Sequence, residues 1–357
     1  MAVRTWLTDL LGLSIPVIQA PMAGGGDTVE LVAASSNAGA LGCIGAAYLT
    51  PEQIIDRGRA VRARTSRPFG VNLFAPMEAP IANDSVLQKA IEAIAPYYQQ
   101  LGLPAPAPPQ LPKTSFDDQL PAALECGARL FSFTFGALPP ATVKKIKDRG
   151  ILVAGTATTV SEAKILVETG VDAVIAQGSE AGGHRGTFAA EFESGSIGSM
   201  ALIPQVADAV PVPVIASGGI MDGRGIASAL LLGAAAIQMG TAFLACDESG
   251  IPQAYKDAIF SASEHQTRIT RAFSGRPARG IINRVLRDYE ETPGAVLPFP
   301  LQNALTRPLR TEAAKQNCSE YLSLWAGQGL GMARRGSVAQ LIEKLAAELS
   351  VAVERIS

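Results

Sequence analysis

Only two histidines occur in the 357 residues, His184 and His265. His184 stands in Ala176-Gln177-Gly178-Ser179-Glu180-Ala181-Gly182-Gly183-His184-Arg185-Gly186, directly after the short apolar run Val174-Ile175-Ala176. That run reads as the end of a buried strand. Paired glycines let the chain turn with no Cβ in the way of a ligand. An imidazole then follows, the one side chain that gives or takes a proton near neutrality without much tuning. A histidine in a loop is more often solvated surface, and His265, among polar neighbours, is read that way. Around His184 the company of Glu180, Gly182, Gly183 and Arg185 at a strand end favours a catalytic role.

Other residues with chemical potential also follow apolar runs. Ala20-Pro21-Met22-Ala23-Gly24-Gly25-Gly26-Asp27 is glycine-rich, but the third glycine of a dinucleotide fingerprint would fall at Val29. A backbone turn close to a flat ligand explains it equally well. Asn72 in Gly70-Val71-Asn72-Leu73-Phe74 is an amide in an apolar strand and needs a partner, protein or ligand. Ser217-Gly218-Gly219-Ile220 and Gln238-Met239-Gly240-Thr241 end two successive strands. Bare backbone N–H groups there can cradle a phosphate, or the glycines can simply make tight turns. A phosphate at that place would put a phosphorylated cofactor or substrate beside His184. No HExxH, P-loop, GxSxG or metal-spaced Cys/His cluster occurs, so metal hydrolysis, P-loop chemistry and serine catalysis lose support, and no metal site is expected.

The elements that must position these groups follow a regular rhythm. Strands are expected at 16–19, 40–46, 70–74, 130–135, 151–155, 173–177, 212–216 and 235–239, several apolar at successive positions as in parallel strands buried on both faces. Helices lie between them. Thr50 with Pro51 and Gln53, Thr159 with Glu162, and Ser337 with Gln340 read as capping boxes, and Asp222 reads as a further N-cap. Eight such units predict a (β/α)8 TIM barrel, with a doubly wound open sheet as runner-up. Two segments break the rhythm. Residues 76–121 include the proline-rich stretch 103–112, which cannot form helix. Residues 246–325 read as a small, mostly helical lid, leaving 1–245 plus 326–357 as the barrel. Val338, Leu341, Ile342, Leu345 and Leu349 form one apolar stripe on a closing helix.

With 48% hydrophobic and 17% charged residues and a formal net charge of −2, the chain can bury one large core. It offers no electrostatic case for nucleic acid or an anionic membrane. The four cysteines, Cys43, Cys126, Cys246 and Cys318, lie far apart and read as reduced thiols. Without a signal peptide or an apolar run long enough to span a bilayer, a soluble cytoplasmic protein is expected.

Taken together, Gln19-Ala20-Pro21-Met22, Gly70-Val71-Asn72-Leu73-Phe74, Ser132-Phe133-Thr134-Phe135-Gly136, the His184 loop, Gln238-Met239-Gly240-Thr241 and Trp325-Ala326-Gly327-Gln328-Gly329 resemble the class I nitronate monooxygenases, formerly called 2-nitropropane dioxygenases. The resemblance implies non-covalent FMN in a barrel flavoprotein. Asn72, Gln177 and Gly182 would contact the flavin, Met22 would back it, and Gly219 with Gln238, Met239, Gly240 and Thr241 would hold its phosphate. It also implies His184 as the catalytic residue and oxidation of alkyl nitronates, and by extension nitroalkanes, with O2 to a carbonyl compound and nitrite. Nitroalkane detoxification and a monomer or homodimer go with it. Relatives often carry histidine where this chain has Thr134, and tyrosines and a lysine where it has Phe299, Asn303 and Arg307. Those four positions bear on the substrate. The FMN-dependent enoyl-ACP reductases share a close version of the histidine loop, so an NAD(P)H-driven oxidoreductase is the alternative. A barrel that binds a phosphorylated ligand without redox chemistry is the alternative of another class.

Overall fold

The computed structural model describes residues 3–355 apart from residue 293. Eight parallel strands form one sheet: Val17–Gln19, Gly42–Gly45, Phe69–Phe74, Leu130–Thr134, Leu152–Ala157, Ala173–Gln177, Val214–Ser217 and Ala236–Met239. Each pairs with the next in this series, and the eighth returns to the first. Between the first and second strands, Gln19 N–H donates to Leu41 O and Leu41 N–H to Val17 O, both at 2.9 Å, and this closes the ring. The protein is a (β/α)8 barrel, as the eight apolar runs predict.

Burial explains why those runs read as continuous. The strands are buried on both faces, against the barrel interior on one side and the outer helices on the other. The N-terminal end of the barrel is plugged by the short helix Trp6–Leu11. Its Leu7 and Leu11 pack with Ile18, Leu130, Ile175 and Ala236. The closing helix Val338–Glu354 lays its apolar stripe, Val338, Leu341, Ile342, Leu345 and Leu349, into the outer layer.

Helix ends follow the expected caps, with one departure. Thr50 with Gln53 and Ser337 with Gln340 form reciprocal boxes, and Asp222 accepts from Gly225 N–H at 3.0 Å. Thr159 does accept from Glu162 N–H, but the Glu162 carboxylate does not reach back. It is fully buried and takes N–H groups from Thr158, Phe188 and Ala189 instead. Donors at Thr158 and in the loop after His184 together capture the carboxylate.

The segment after the eighth strand is largely helical, through Gln253–Ser261, Arg284–Glu290 and Leu301–Lys315. It also contributes two strands, Thr267–Thr270 and Ala278–Ile281, which the sequence reading does not foresee. They form a small antiparallel sheet whose third strand is Gly183–His184. A second apolar cluster joins this segment to the helix Asp84–Gln100, which follows the third barrel strand. Tyr98 Oη donates to Leu305 O at 2.7 Å and Tyr97 Oη to Asp288 at 2.8 Å. The lengthy excursion at 76–121 thus supplies the helix on which the later segment rests.

Candidate active site

Strand register brings the candidate side chains into one ring at the C-terminal ends of the barrel. Asn72 pairs across to Gly45 on one side and Ser132 on the other, and its Nδ2 donates to Ser132 Oγ at 2.9 Å. Gln177 stands opposite Ser217, and Ser217 opposite Gln238. Met239 stands opposite Gln19. The two glycine turns, Gly218-Gly219 and Gly240, therefore leave adjacent strands, next to the strand that delivers the histidine loop.

That loop is tied at every turn. The Gln177 amide closes it, donating to His184 O at 3.0 Å and accepting from Gly186 N–H at 2.8 Å. Arg185, almost wholly buried, gathers the carbonyls of Gln177, Gly178 and Gly195. Glu180 accepts from Ser199 N–H and Oγ at 2.9 Å, fixing the start of the helix Ser199–Ala209. Arg279 donates to Ser179 O at 3.0 Å. Gly183 adopts φ +74°, a left-handed conformation that favours glycine. A Cβ at Gly182 would lie 2.5 Å from the backbone of Ala326 and Gly327. The Trp325-Ala326-Gly327 stretch is held there by Gly327 N–H to Thr241 Oγ1 at 3.0 Å and Gln328 N–H to Glu180 O at 2.9 Å.

The loop presents His184 to a wall of rings. Its imidazole lies 5.8 Å from the rings of Phe135 and Phe299 and 5.6 Å from that of Trp325, centroid to centroid. Phe74 completes the wall at 4.6 Å from Phe135 and 5.9 Å from Phe299. Phe135 follows the fourth strand with φ +77°, a conformation that costs a phenylalanine about 1–3 kcal/mol. The packing of its ring between His184, Phe74 and Arg276 offsets that strain.

Two guanidinium groups, those of Arg276 and Arg310, act electrostatically on the imidazole. Arg276 lies 3.9 Å over the Phe135 ring and donates to Arg185 O and Thr187 O. Arg310 donates to Asn303 O and Oδ1 at 2.9 and 2.8 Å. Among the described residues, neither has a carboxylate within ion-pair distance. Burial, then the charges of Arg276 and Arg310, hold the His184 imidazole down at about 3, so it is neutral at physiological pH. Its Nε2 is enclosed and, among the described residues, has no hydrogen-bond partner.

The remaining sequence-predicted residues occupy distinct places. Met22 N–H donates to the buried Asp27 carboxylate at 3.0 Å, which pins the glycine-rich turn after the first strand to Gly45 of the second. Thr134 lies against Gly186, below the loop. Phe299 touches His184, Asn303 supports Arg310, and Arg307 is exposed, its guanidinium 5.2 Å over the Tyr48 ring. Sequence reasoning does not single out Phe74, Phe135, Arg276 or Arg310 as site residues. Phe74 and Phe135 lie within the Gly70–Phe74 and Ser132–Gly136 motifs, whereas the arginines carry no local signal in a charge-rich segment.

With this geometry in view, comparison with known proteins is direct. The sequence profile of the nitronate monooxygenases matches residues 4–348. A probable nitronate monooxygenase of Staphylococcus saprophyticus is 40% identical over 99% of this chain and 100% of its own length. One from Bacillus subtilis is 41% identical over 94% of this chain and 96% of its own. Among solved structures, a nitroalkane oxidase from Streptomyces ansochromogenes superposes with a TM-score of 0.90 at 40% identity, covering 98% of this chain and 99% of that one. A family match across nearly the whole chain, on a barrel whose strand ends converge on His184, makes this protein a member of the nitronate monooxygenase family.

Proposed function

We propose that this protein binds FMN at the C-terminal mouth of its barrel and oxidises alkyl nitronates with O2 to a carbonyl compound and nitrite. The observation that carries this reading is the electrostatics of the histidine site. A neutral imidazole stands among aromatic rings with two guanidinium groups that, among the described residues, lack carboxylate partners. Such a site favours a small anion and disfavours a cation.

The residues present fit the cofactor. The short helix Thr241–Leu244 starts at Gly240 without a side-chain cap, leaving the first N–H groups of its turn for an anion such as a phosphate. Gly218 and Gly219 on the neighbouring strand, both at positive φ, would complete that cradle. Gln238, Met239 and Thr241 would flank it, while Asn72, Gln177, Gly182 and Met22 would line the ring. When bound, FMN supplies an acceptor that takes electrons from a carbanion-like substrate and passes them to O2.

The chain's own residues supply the rest. Phe74, Phe135, Phe299 and Trp325 exclude water from the imidazole. His184, neutral and without a partner at Nε2, is poised to take the α-proton of a neutral nitroalkane. The same imidazole, once protonated, would hold the nitronate oxygens. The guanidinium groups lower the cost of the negative charge that remains on the substrate. With a preformed nitronate the proton transfer is unnecessary, and only the binding roles remain.

The test is oxygen consumption and nitrite release on adding propyl-2-nitronate to the purified protein. Matched uptake of O2 and appearance of nitrite is expected. No nitrite, with turnover of NADH or NADPH instead, would transfer the protein to the flavin reductases.

A further inference from the structure

We propose that Arg310 is the side chain that grips the O–N–O end of the anionic substrate, and of the nitrite formed from it. The inference rests on the nitronate reading above but makes a separate claim about binding. Of the arginines on the histidine loop and on the segments that pack beside the site, Arg185, Arg276, Arg279 and Arg307 have defined places. Arg185 also has an enclosed Nε without a partner among the described residues, but both of its Nη groups are spent on three carbonyls, and Arg279 binds Ser179 O and Thr267 Oγ1. Arg276 spends Nε and one Nη on Arg185 O and Thr187 O and its face on Phe135. Arg307 is exposed over Tyr48.

Arg310 is different. One Nη makes both bonds to Asn303, the other reaches Ser323 Oγ only at 3.5 Å, and Nε is enclosed with no partner. A 3.5 Å contact is at the limit of a hydrogen bond. A half-buried charge with half its donors unspent and its Nε enclosed is costly unless an anion completes it. Its position fits that role. Asn303 follows Phe299 by four residues and Ser323 precedes Trp325 by two, and both rings flank His184. Arg310 therefore bridges the two segments that wall the imidazole. A guanidinium offers a planar fork of N–H groups, and nitronate and nitrite both present a planar pair of oxygens on nitrogen. A neutral nitroalkane has the same shape without the full charge. Arg310 would thus favour the nitronate and also retain nitrite.

The chain's two histidines make this measurable without turnover. In a His265→Gln background, labelled histidine reports His184 alone by NMR, and sodium nitrite is the probe. Saturable shifts of the His184 resonances are expected, with the nitrite Kd raised about 30-fold or more in Arg310→Met and to a lesser degree in Arg310→Lys. Should the methionine variant fail to fold, the lysine variant carries the test, since it keeps the charge and loses the fork. The KM for propyl-2-nitronate should rise in parallel, with kcat changed much less. Nitrite that leaves His184 unmoved in the parent protein, or that binds Arg310→Met and Arg310→Lys as tightly as the parent, would overturn the proposal. Nitrite binding that depends on Arg310 in a protein that does not oxidise nitronates would keep Arg310 as the anion site and remove the functional reading.

Discussion

A neutral imidazole between aromatic rings and guanidinium groups is a base only for a proton whose departure leaves an anion the site can hold. This separates two substrates. Replacing His184 with Asn should lower kcat/KM for a neutral nitroalkane by about 10²–10⁴-fold and for a preformed nitronate by much less, with the bound flavin retained. Equal rates to the parent on both substrates would take His184 out of the mechanism. His184 itself was legible because its framing is local: a strand end, two glycines and an arginine within a few residues. Its surroundings were not. Phe299 and Trp325 enter through the resemblance, but Phe74, Phe135, Arg276 and Arg310 come from four separate stretches, and no spacing in the chain announces that these side chains meet.

The elements around the site work as interlocked backbones. Gly182 faces Ala326 and Gly327 with no room for a methyl group. Gly182→Ala should force the histidine loop and the Trp325 segment apart, destabilising the fold by about 1–3 kcal/mol in urea denaturation and reducing turnover. A variant with parental stability and rate would show that the contact is slack. A resemblance motif suggested a flavin contact for Gly182, while the structure supplies a packing reason that sequence could not display. Glu162 makes the same point. Its spacing from Thr159 is that of a capping box, yet its carboxylate binds N–H groups at residues 158, 188 and 189. A local rule loses where a distant loop offers more donors. The small sheet that includes Gly183–His184 escaped notice for a related reason. Two residues make too short a strand to leave a periodic pattern.

At the scale of the whole molecule, the barrel was the most legible feature, because eight apolar runs with capped helices between them admit few other closures. The packing of helix Asp84–Gln100 against the later segment was hidden, since the proline-rich stretch gives no hint of where the chain returns. Tyr98→Phe tests that joint. Loss of the bond to Leu305 O should cost about 1 kcal/mol, read as a lower denaturation midpoint. Acid sensitivity is a further whole-molecule property. With its pKa held at about 3 in the fold against an ordinary 6.5, His184 binds a proton more readily in the unfolded chain. Its contribution therefore makes stability fall as pH drops below about 6.5 and continue to fall towards 3. Asp27, raised to about 6 by burial, acts with the opposite sign, favouring the fold as pH falls from about 6 to 3.8. Both groups titrate between about pH 6.5 and pH 6, so the difference between the parent and His184→Asn, which share Asp27, isolates the His184 contribution. His184→Asn should flatten that part of a stability–pH curve, and an unchanged slope in the variant would assign the acid sensitivity elsewhere.

The central claim is that the histidine site delivers electrons from an anionic nitro substrate to a bound flavin. An anaerobic titration of the purified protein tests it most directly, with propyl-2-nitronate added to one sample and NADH or NADPH to another. Reduction of the bound flavin by the nitronate, and none by either nicotinamide, is the predicted result. Full bleaching by a nicotinamide with no response to the nitronate, or a colourless protein with no flavin to titrate, would contradict it.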